Sequence, residues 1–397
     1  MTGAGHAPVQ IKVFNVKYSP NLGDGLLSEC LETALFHQGA DPNSGSVDLA
    51  ARQSYGDTMA GRGKIMTVLD ALPEPVRHRL VRAPLALASW RKWAPHYHAS
   101  LAGADAVVIG GGNLLSDHDL NFPTKLALAL HVAAERDLPV VIYACGMAEH
   151  WTAEGDRRLR RALAQHRPRA VFLRDQASCD RWNARFVEVS GQTAQVVRDP
   201  GLLAVDTYCA VARPNEGPVI GLGIMSHVAI RYHAQASQSS SDLAAWYVAL
   251  ARALTAQGAT VIGFTNGAPE DRAAADEIAA PLGALGVEIR QPATPADLSG
   301  IVGGCHAIAA YRMHAVIAAY AHGVPALALR WDGKLDAFMA SVGRADWMAD
   351  PAALPADAAA ERLMAAARAG LSAQDVARVL DETRAGVARA LSAIAAG

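Results

Sequence analysis

Lysine is nearly absent from this sequence: six of its 36 basic residues are Lys and the rest are Arg, an imbalance that reads as coding bias. Excess charge is absent as well. Thirty-six basic against 38 acidic residues leave a formal charge of −2, so no global footprint for nucleic acid exists and any anion site must be local. Cysteine pairs are missing. Cys30, Cys145, Cys179, Cys209 and Cys305 stand at least 30 residues apart, which excludes CxxC zinc or redox motifs and leaves buried, reduced thiols as the expectation. His96 and His98 have no evident carboxylate partner, so no metal is expected. No apolar run approaches the ~18 residues of a membrane span, and Met1–Gln10 lacks a basic segment followed by an apolar one. A cytoplasmic protein is expected. No GxxxxGK[ST] motif occurs, and neither Gly110–Gly112 nor Gly221-Leu-Gly223 completes GxGxxG, which argues against P-loop and NAD chemistry.

What is present is a chain of 397 residues, 51% apolar and 19% charged, long enough for two doubly wound halves. Short β-rich runs alternate with Ala/Leu/Arg-rich helical stretches, the pattern of a parallel sheet covered by helices. Strands are predicted at Ile11–Val16, Ala106–Ile109, Val140–Ala144, Ala170–Arg174, Val219–Ile224, Ala259–Phe264, Val287–Gln291, Ala307–Ala309 and Ala326–Leu329. Pro200–Pro218, with three prolines and little periodicity, marks the boundary between domains at 1–210 and 211–350. The remainder, 351–397, is predicted to be helical and to pack back on the N-terminal domain. Ser237–Ser241 reads as a mobile loop or a polar lead into a helix.

Several segments could carry chemistry. Ser19-Pro-Asn21-Leu-Gly23-Asp24 follows a strand and opens an apolar helix, so its backbone N–H groups could meet an anion; Asp24 as a simple cap explains it equally well. Gly110-Gly111-Gly112-Asn113 after a buried strand is a stronger signal, because a tight turn needs one glycine, not three. Tyr311-Arg312-Met313-His314 brings a fixed cation and a titratable imidazole to a strand end, where α/β ligands bind. His306 and His322 read as packing residues. Arg174-Asp175 with Ser178, and Arg198-Asp199-Pro200, fit either a phosphate clamp or plain capping. Arg157–Arg161 reads as a solvated helix face. Val76–His98 interleaves Arg77, Arg79, Arg82, Arg91 and Lys92 with Trp90, Trp93 and Tyr97, which suits a packed helix, a sugar, a nucleic-acid strand or an anionic membrane surface.

Taken in order, Asn21-Leu-Gly-Asp24, Ile109-Gly-Gly-Gly-Asn113, Arg174-Asp175, Asp199-Pro200, Arg312-Met-His314 with Gly323-Val-Pro325, and Asp332-Gly-Lys334 resemble the polysaccharide pyruvyltransferase family over about residues 11–343. The resemblance implies an α/β protein of two Rossmann-like doubly wound domains facing a cleft, a GT-B-like arrangement. It implies an enzyme that moves a pyruvyl group from phosphoenolpyruvate to a sugar diol of a bacterial exopolysaccharide or its lipid-linked precursor, closing a cyclic ketal and releasing phosphate. Phosphoenolpyruvate is then a substrate, and no cofactor is called for. Carried over by motif, His314, Arg312 and Asp24 are the catalytic candidates. Arg174, Arg312, Gly111, Gly112, Asn113 and Asn21 are the donor-binding candidates. A lipid-linked acceptor would bring the protein to the inner membrane surface through the Arg77–Tyr97 segment. Trp331 and Val76–His98 depart from the family pattern. Two other readings stay open: a nucleotide-sugar glycosyltransferase, for which Phe264-Thr-Asn-Gly267 is the thin candidate turn, and a non-catalytic glycan-binding member, which would be expected to lose Arg312 or His314.

Overall fold

The structure, a computed structural model, describes residues 8–57, 82–227 and 240–396. Arg77, Arg79 and residues 237–239 of the polar patch lie outside the described residues. Contacts divide the chain into two compact units, both discontinuous in sequence. The first comprises residues up to Tyr18, Leu31–Pro200 and Glu382 onward; the second comprises Ser19–Cys30 and Gly201–Asp381.

The first unit carries a parallel sheet of β1 (Ile11–Asn15), β2 (Gly45–Asp48), β3 (Ala106–Gly110), β4 (Val140–Cys145), β5 (Ala170–Leu173) and β6 (Gln195–Val196), in the order β2-β1-β3-β4-β5-β6. The second carries β7 (Val219–Gly223), β8 (Thr260–Phe264), β9 (Glu288–Arg290), β10 (Ala307–Ala310), β11 (Ala326–Leu329) and β12 (Met348–Ala349), in the order β12-β11-β10-β7-β8-β9. Every residue of β3, β4, β10 and β11 is buried. Strands covered on both faces need no polar alternation, which is why they read as continuous apolar runs. Both sheets are doubly wound, and the strand order reverses between β1 and β3 in the first and between β7 and β10 in the second. Ligands of such sheets bind beyond the strand ends at that reversal. The Gly110–Asn113 turn leaves β3, and Arg312 and His314 follow β10.

Helices that matter for the site are α1 (Leu22–His37), α2 (described over 82–100), α3 (Asn121–Ala134), α4 (Ala153–Gln165), α5 (Gln176–Arg185), α6 (Pro269–Glu277), α7 (Pro295–Gly303), α8 (Met313–Ala321), α9 (Gly333–Ser341), α10 (Ala356–Ala369) and α11 (Ala373–Ala395). Their starts are locally encoded. Thr152, Asp175 and Asp332 cap α4, α5 and α9 through side-chain oxygens, and Thr294 forms a capping box with Asp297 at α7. The C-terminal tail divides. Ala359, Leu363 and Met364 of α10 join the core of the second unit. The end of α11 belongs instead to the first unit, where Glu382 pairs with Arg198 at 2.8 Å and the Arg384 carbonyl accepts from Gln38 at 2.8 Å. Four cysteines are buried as expected, and Cys209 is exposed.

Candidate active site

In the second unit, Arg312 stands at the start of α8 without capping it. Its guanidinium turns to α6, donating from Nε to Asp271 Oδ2 at 2.8 Å and from Nη2 to Asp271 Oδ1 at 2.9 Å. Asp271 is fully buried and also accepts from the Ser226 backbone N–H at 3.0 Å. Glu270 lies 3.5 Å from Nη2, and the guanidinium sits 5.8 Å from the centre of the Trp331 ring. Burial opposes the charge of Arg312, but the charge and hydrogen bonds of Asp271, aided by Glu270 and Asp24, outweigh it and raise the pKa above the ordinary arginine value. Arg312 is therefore locked in a bidentate pair, with one edge committed to the protein.

His314, only 7% exposed, occupies the first turn of α8. The first turn of α1 lies directly on its ring: a Cβ built on Gly23 would fall 2.6 Å from His314 Nδ1 and Cβ. That turn is anchored by the β8 loop, where the Asn266 carbonyl accepts from Leu22 N–H at 2.8 Å and Gly267, at φ +88°, packs under Leu22. Asn21, not Asp24, caps α1, its Oδ1 accepting from Gly23 N–H at 3.2 Å. Asp24 follows in the first turn, close enough for Arg312 to feel its charge. Asn21, Asp24, Arg312 and His314 are thus gathered in one unit, although the first two are nearly 300 residues from the others. Gly-to-Ala changes inside open helices usually stabilise by about 1 kcal/mol. Gly23→Ala is expected to do the reverse and destabilise by about 1–3 kcal/mol, because its Cβ would overlap the His314 ring; an unchanged melting temperature would reject the contact.

In the first unit, Gly111 and Gly112 adopt φ +82° and +70°, a pair of conformations that side chains resist. Gly111 N–H donates to the Tyr143 carbonyl at 2.9 Å and the Gly112 carbonyl accepts from Gly146 N–H at 2.8 Å, so part of the turn is spent tying β3 to β4. Asn113 Oδ1 is buried without a hydrogen bond among the described residues. Arg174 follows β5 with its side chain 5% exposed. Asp199 Oδ2 and Asp175 Oδ2 are its nearest carboxylate oxygens, at 3.7 and 3.8 Å, and the guanidinium makes no hydrogen bond among the described residues. It lies flat on Gly146, where a Cβ would fall 2.6 Å from Nη2. Asp175 is engaged elsewhere, accepting from Ser178 N–H at 2.7 Å as the cap of α5. Burial pushes the neighbouring Cys145 thiol up to about 12, against the opposing pull of Arg174, so it is a protonated packing group.

The remaining expectations sort by contact. His306 Nδ1 accepts from Val219 N–H at 3.0 Å and His322 Nε2 bonds Ser299 Oγ at 2.8 Å, both satisfied packing histidines. Arg158 and Arg160 pair with Glu154 and Asp156 four residues earlier on a solvated helix face. Asp271 and Gly146 were not singled out from sequence, and Gly23 was read only as part of the turn before Asp24. Only Asp271 left a trace, as an acid in a first helical turn, and such acids are commonplace.

Residues 21–333 match the sequence profile of the polysaccharide pyruvyl transferase family. No curated protein matches the chain. Among solved structures, a Listeria monocytogenes protein assigned as a UDP-N-acetylglucosamine 2-epimerase is similar in fold at TM-score 0.56 and 10% identity, over 98% of this chain and 96% of its own. UDP-GlcNAc 2-epimerases from Neisseria meningitidis (TM-score 0.52, 10% identity, 98% and 99% covered) and Methanocaldococcus jannaschii (0.51, 10%, 93% and 94%) share the same GT-B-like pair of Rossmann-like units. At such identities the likeness is one of fold alone. The profile spans both glycine-rich turns, Arg174 and the Arg312–His314 pair, and on that match the chain belongs to the polysaccharide pyruvyl transferase family.

Proposed function

We propose that the protein transfers the pyruvyl group of phosphoenolpyruvate to a sugar diol of a polysaccharide or its lipid-linked precursor, forming a cyclic ketal. The observation that carries this reading is Arg174, a buried guanidinium that lies on Gly146, makes no hydrogen bond among the described residues and has its nearest carboxylates, Asp199 and Asp175, at 3.7 and 3.8 Å. Its two carboxylate neighbours offset the charge without engaging the N–H donors in hydrogen bonds, which leaves those donors for an incoming anion. Phosphoenolpyruvate offers two, a phosphate and a carboxylate, each matched to a planar fork of N–H donors.

In this reading His314 gives a proton to the methylene carbon of the enol. The carbon bearing the phosphate becomes oxocarbenium-like, and the first sugar hydroxyl adds to it. Phosphate then departs as its C–O bond breaks, and the second hydroxyl closes the ring. Of the two hydroxyl protons released, one balances the proton placed on the new methyl group and the other leaves with phosphate. His314, a buried imidazole, suits giving and regaining a proton. Asp24 is the candidate acceptor of a hydroxyl proton. Arg312, held by Asp271, presents its free edge to developing negative charge on the leaving phosphate.

Phosphoenolpyruvate at saturating concentration should raise the melting temperature, by an amount corresponding to about 2.7 kcal/mol at a hundredfold excess over Kd. Arg174→Ala should weaken that binding roughly 10- to 100-fold by removing a charge-assisted contact. A shift with UDP-glucose but not with phosphoenolpyruvate would instead assign glycosyl transfer.

A further inference from the structure

The family assignment leaves α2 without a role. From Pro75 to Ala104 the sequence holds five basic residues and no acidic one. The described part of this segment is a helix broken by a π-turn at Ser89–Trp93. On it Ala83, Leu87 and Trp90, spaced by four and three residues, are all exposed, Leu87 by 49% and Trp90 by 71%. Arg91 and Lys92, also exposed, flank them, with the Arg91 guanidinium 5.6 Å from the Trp90 ring. The wider π-turn separates Trp90 from Trp93 around the helix. Trp93 is buried under Lys125, whose Nζ lies 4.8 Å from its ring, and Tyr97 is fully buried with its hydroxyl donating to the Leu49 carbonyl. Of the three aromatics in the sequence pattern, only Trp90 faces out.

We infer that α2 is an interfacial helix that seats the first unit on an anionic lipid bilayer. An apolar stripe of Leu and Trp flanked by Arg and Lys is what a headgroup boundary rewards: the stripe enters the acyl region and the cations meet lipid phosphates. A single nucleic-acid strand fits poorly, since it needs a row of stacking rings and only one is exposed. A second copy of the chain fits poorly as well. Pairing this face with itself would set Arg91 and Lys92 against their own images with no acid in the segment to separate them. Behind the helix a cavity of about 490 Å³ is lined by Leu85, Trp90 and Leu128 together with Arg82, His98 and Arg158. This assignment goes beyond the proposed reaction and does not depend on it.

The test is co-sedimentation of the full chain with vesicles of phosphatidylglycerol and phosphatidylcholine, against phosphatidylcholine alone, at low and high salt. Binding is expected only to the anionic vesicles and should fall with salt. Leu87→Ser with Trp90→Ser should lower partitioning roughly 100-fold, and Arg91→Glu with Lys92→Glu at least about tenfold, while circular dichroism stays that of wild type. A blue shift of tryptophan emission on vesicles should vanish in Trp90→Phe. Failure of the wild type to bind, or equal binding by the Leu87/Trp90 variant, would overturn the inference. So would a Trp90-dependent complex with a single-stranded oligonucleotide, or a dimer in sedimentation velocity that the Leu87/Trp90 variant dissolves.

Discussion

His314→Ala should lower pyruvyl transfer by about 10²- to 10⁴-fold, the range expected when a positioned acid is removed from a proton-transfer step. The imidazole is held on two sides, by the helix that carries it and by the backbone of Gly23. Such confinement is what a proton donor requires, because transfer falls steeply with misplacement. The contrast with His322 sharpens the expectation. Burial and the nearby charge of Arg213 push His322 down to about 4, and Ser299 engages its ring, so His322→Ala should affect stability rather than turnover. The measurement is single-turnover release of phosphate from phosphoenolpyruvate in the presence of acceptor, with the melting temperature recorded alongside. Wild-type turnover in a folded His314→Ala enzyme would remove this residue from the chemistry.

Asp271→Leu should be the most destabilising single change in the second unit, by about 3–5 kcal/mol, because it strands the Arg312 guanidinium in a buried site. The fully buried carboxylate also receives the Ser226 N–H, so that donor loses its partner too. Arg312→Met should cost a comparable amount for the mirror-image reason. The double variant, Asp271→Leu with Arg312→Met, should recover much of the stability, since two apolar groups of similar size can replace a buried pair at little net cost. It should not recover activity. Denaturant titrations of the four proteins yield the coupling energy directly. Additive losses in the double variant would mean that the pair seen at 2.8 and 2.9 Å carries little energy, and would leave Arg312 without its positioning partner.

Most of the fold was legible because fully buried parallel strands announce themselves as apolar runs. Val140–Cys145 and Ala307–Ala310 differ from their predicted ends by a single residue. The strands that escaped were β2, β6 and β12. Gly-Ser-Val-Asp at β2, with only the last two residues buried, has neither the length nor the composition to stand out, and its pairing on β1 is a tertiary fact. The site divided along the same line. Arg312, His314, Arg174 and the glycine triplet were visible because unusual residue types sat at strand ends. Asp271 was not, since nothing in Pro269-Glu270-Asp271-Arg272 distinguishes a buried anchor from an ordinary first-turn acid. The cap of α1 was misread for a related reason: Asp24 was the cap candidate in sequence, and only the folded turn shows Asn21 Oδ1 accepting from Gly23 N–H instead.

The interleaving of the two units in sequence has a consequence for synthesis. Ser19–Cys30 leave the ribosome long before Gly201–Asp381, the segment they pack with, and the first unit lacks its closing residues until Glu382 onward has emerged. Neither unit can therefore mature in the simple N-to-C order that lets successive domains fold independently on a growing chain. The nascent polypeptide must hold an apolar helix start, Leu22 through Leu27, and an unfinished first core in reserve until their partner segments have been made. That interval is when exposed apolar surface on the unfinished chain calls most on chaperones.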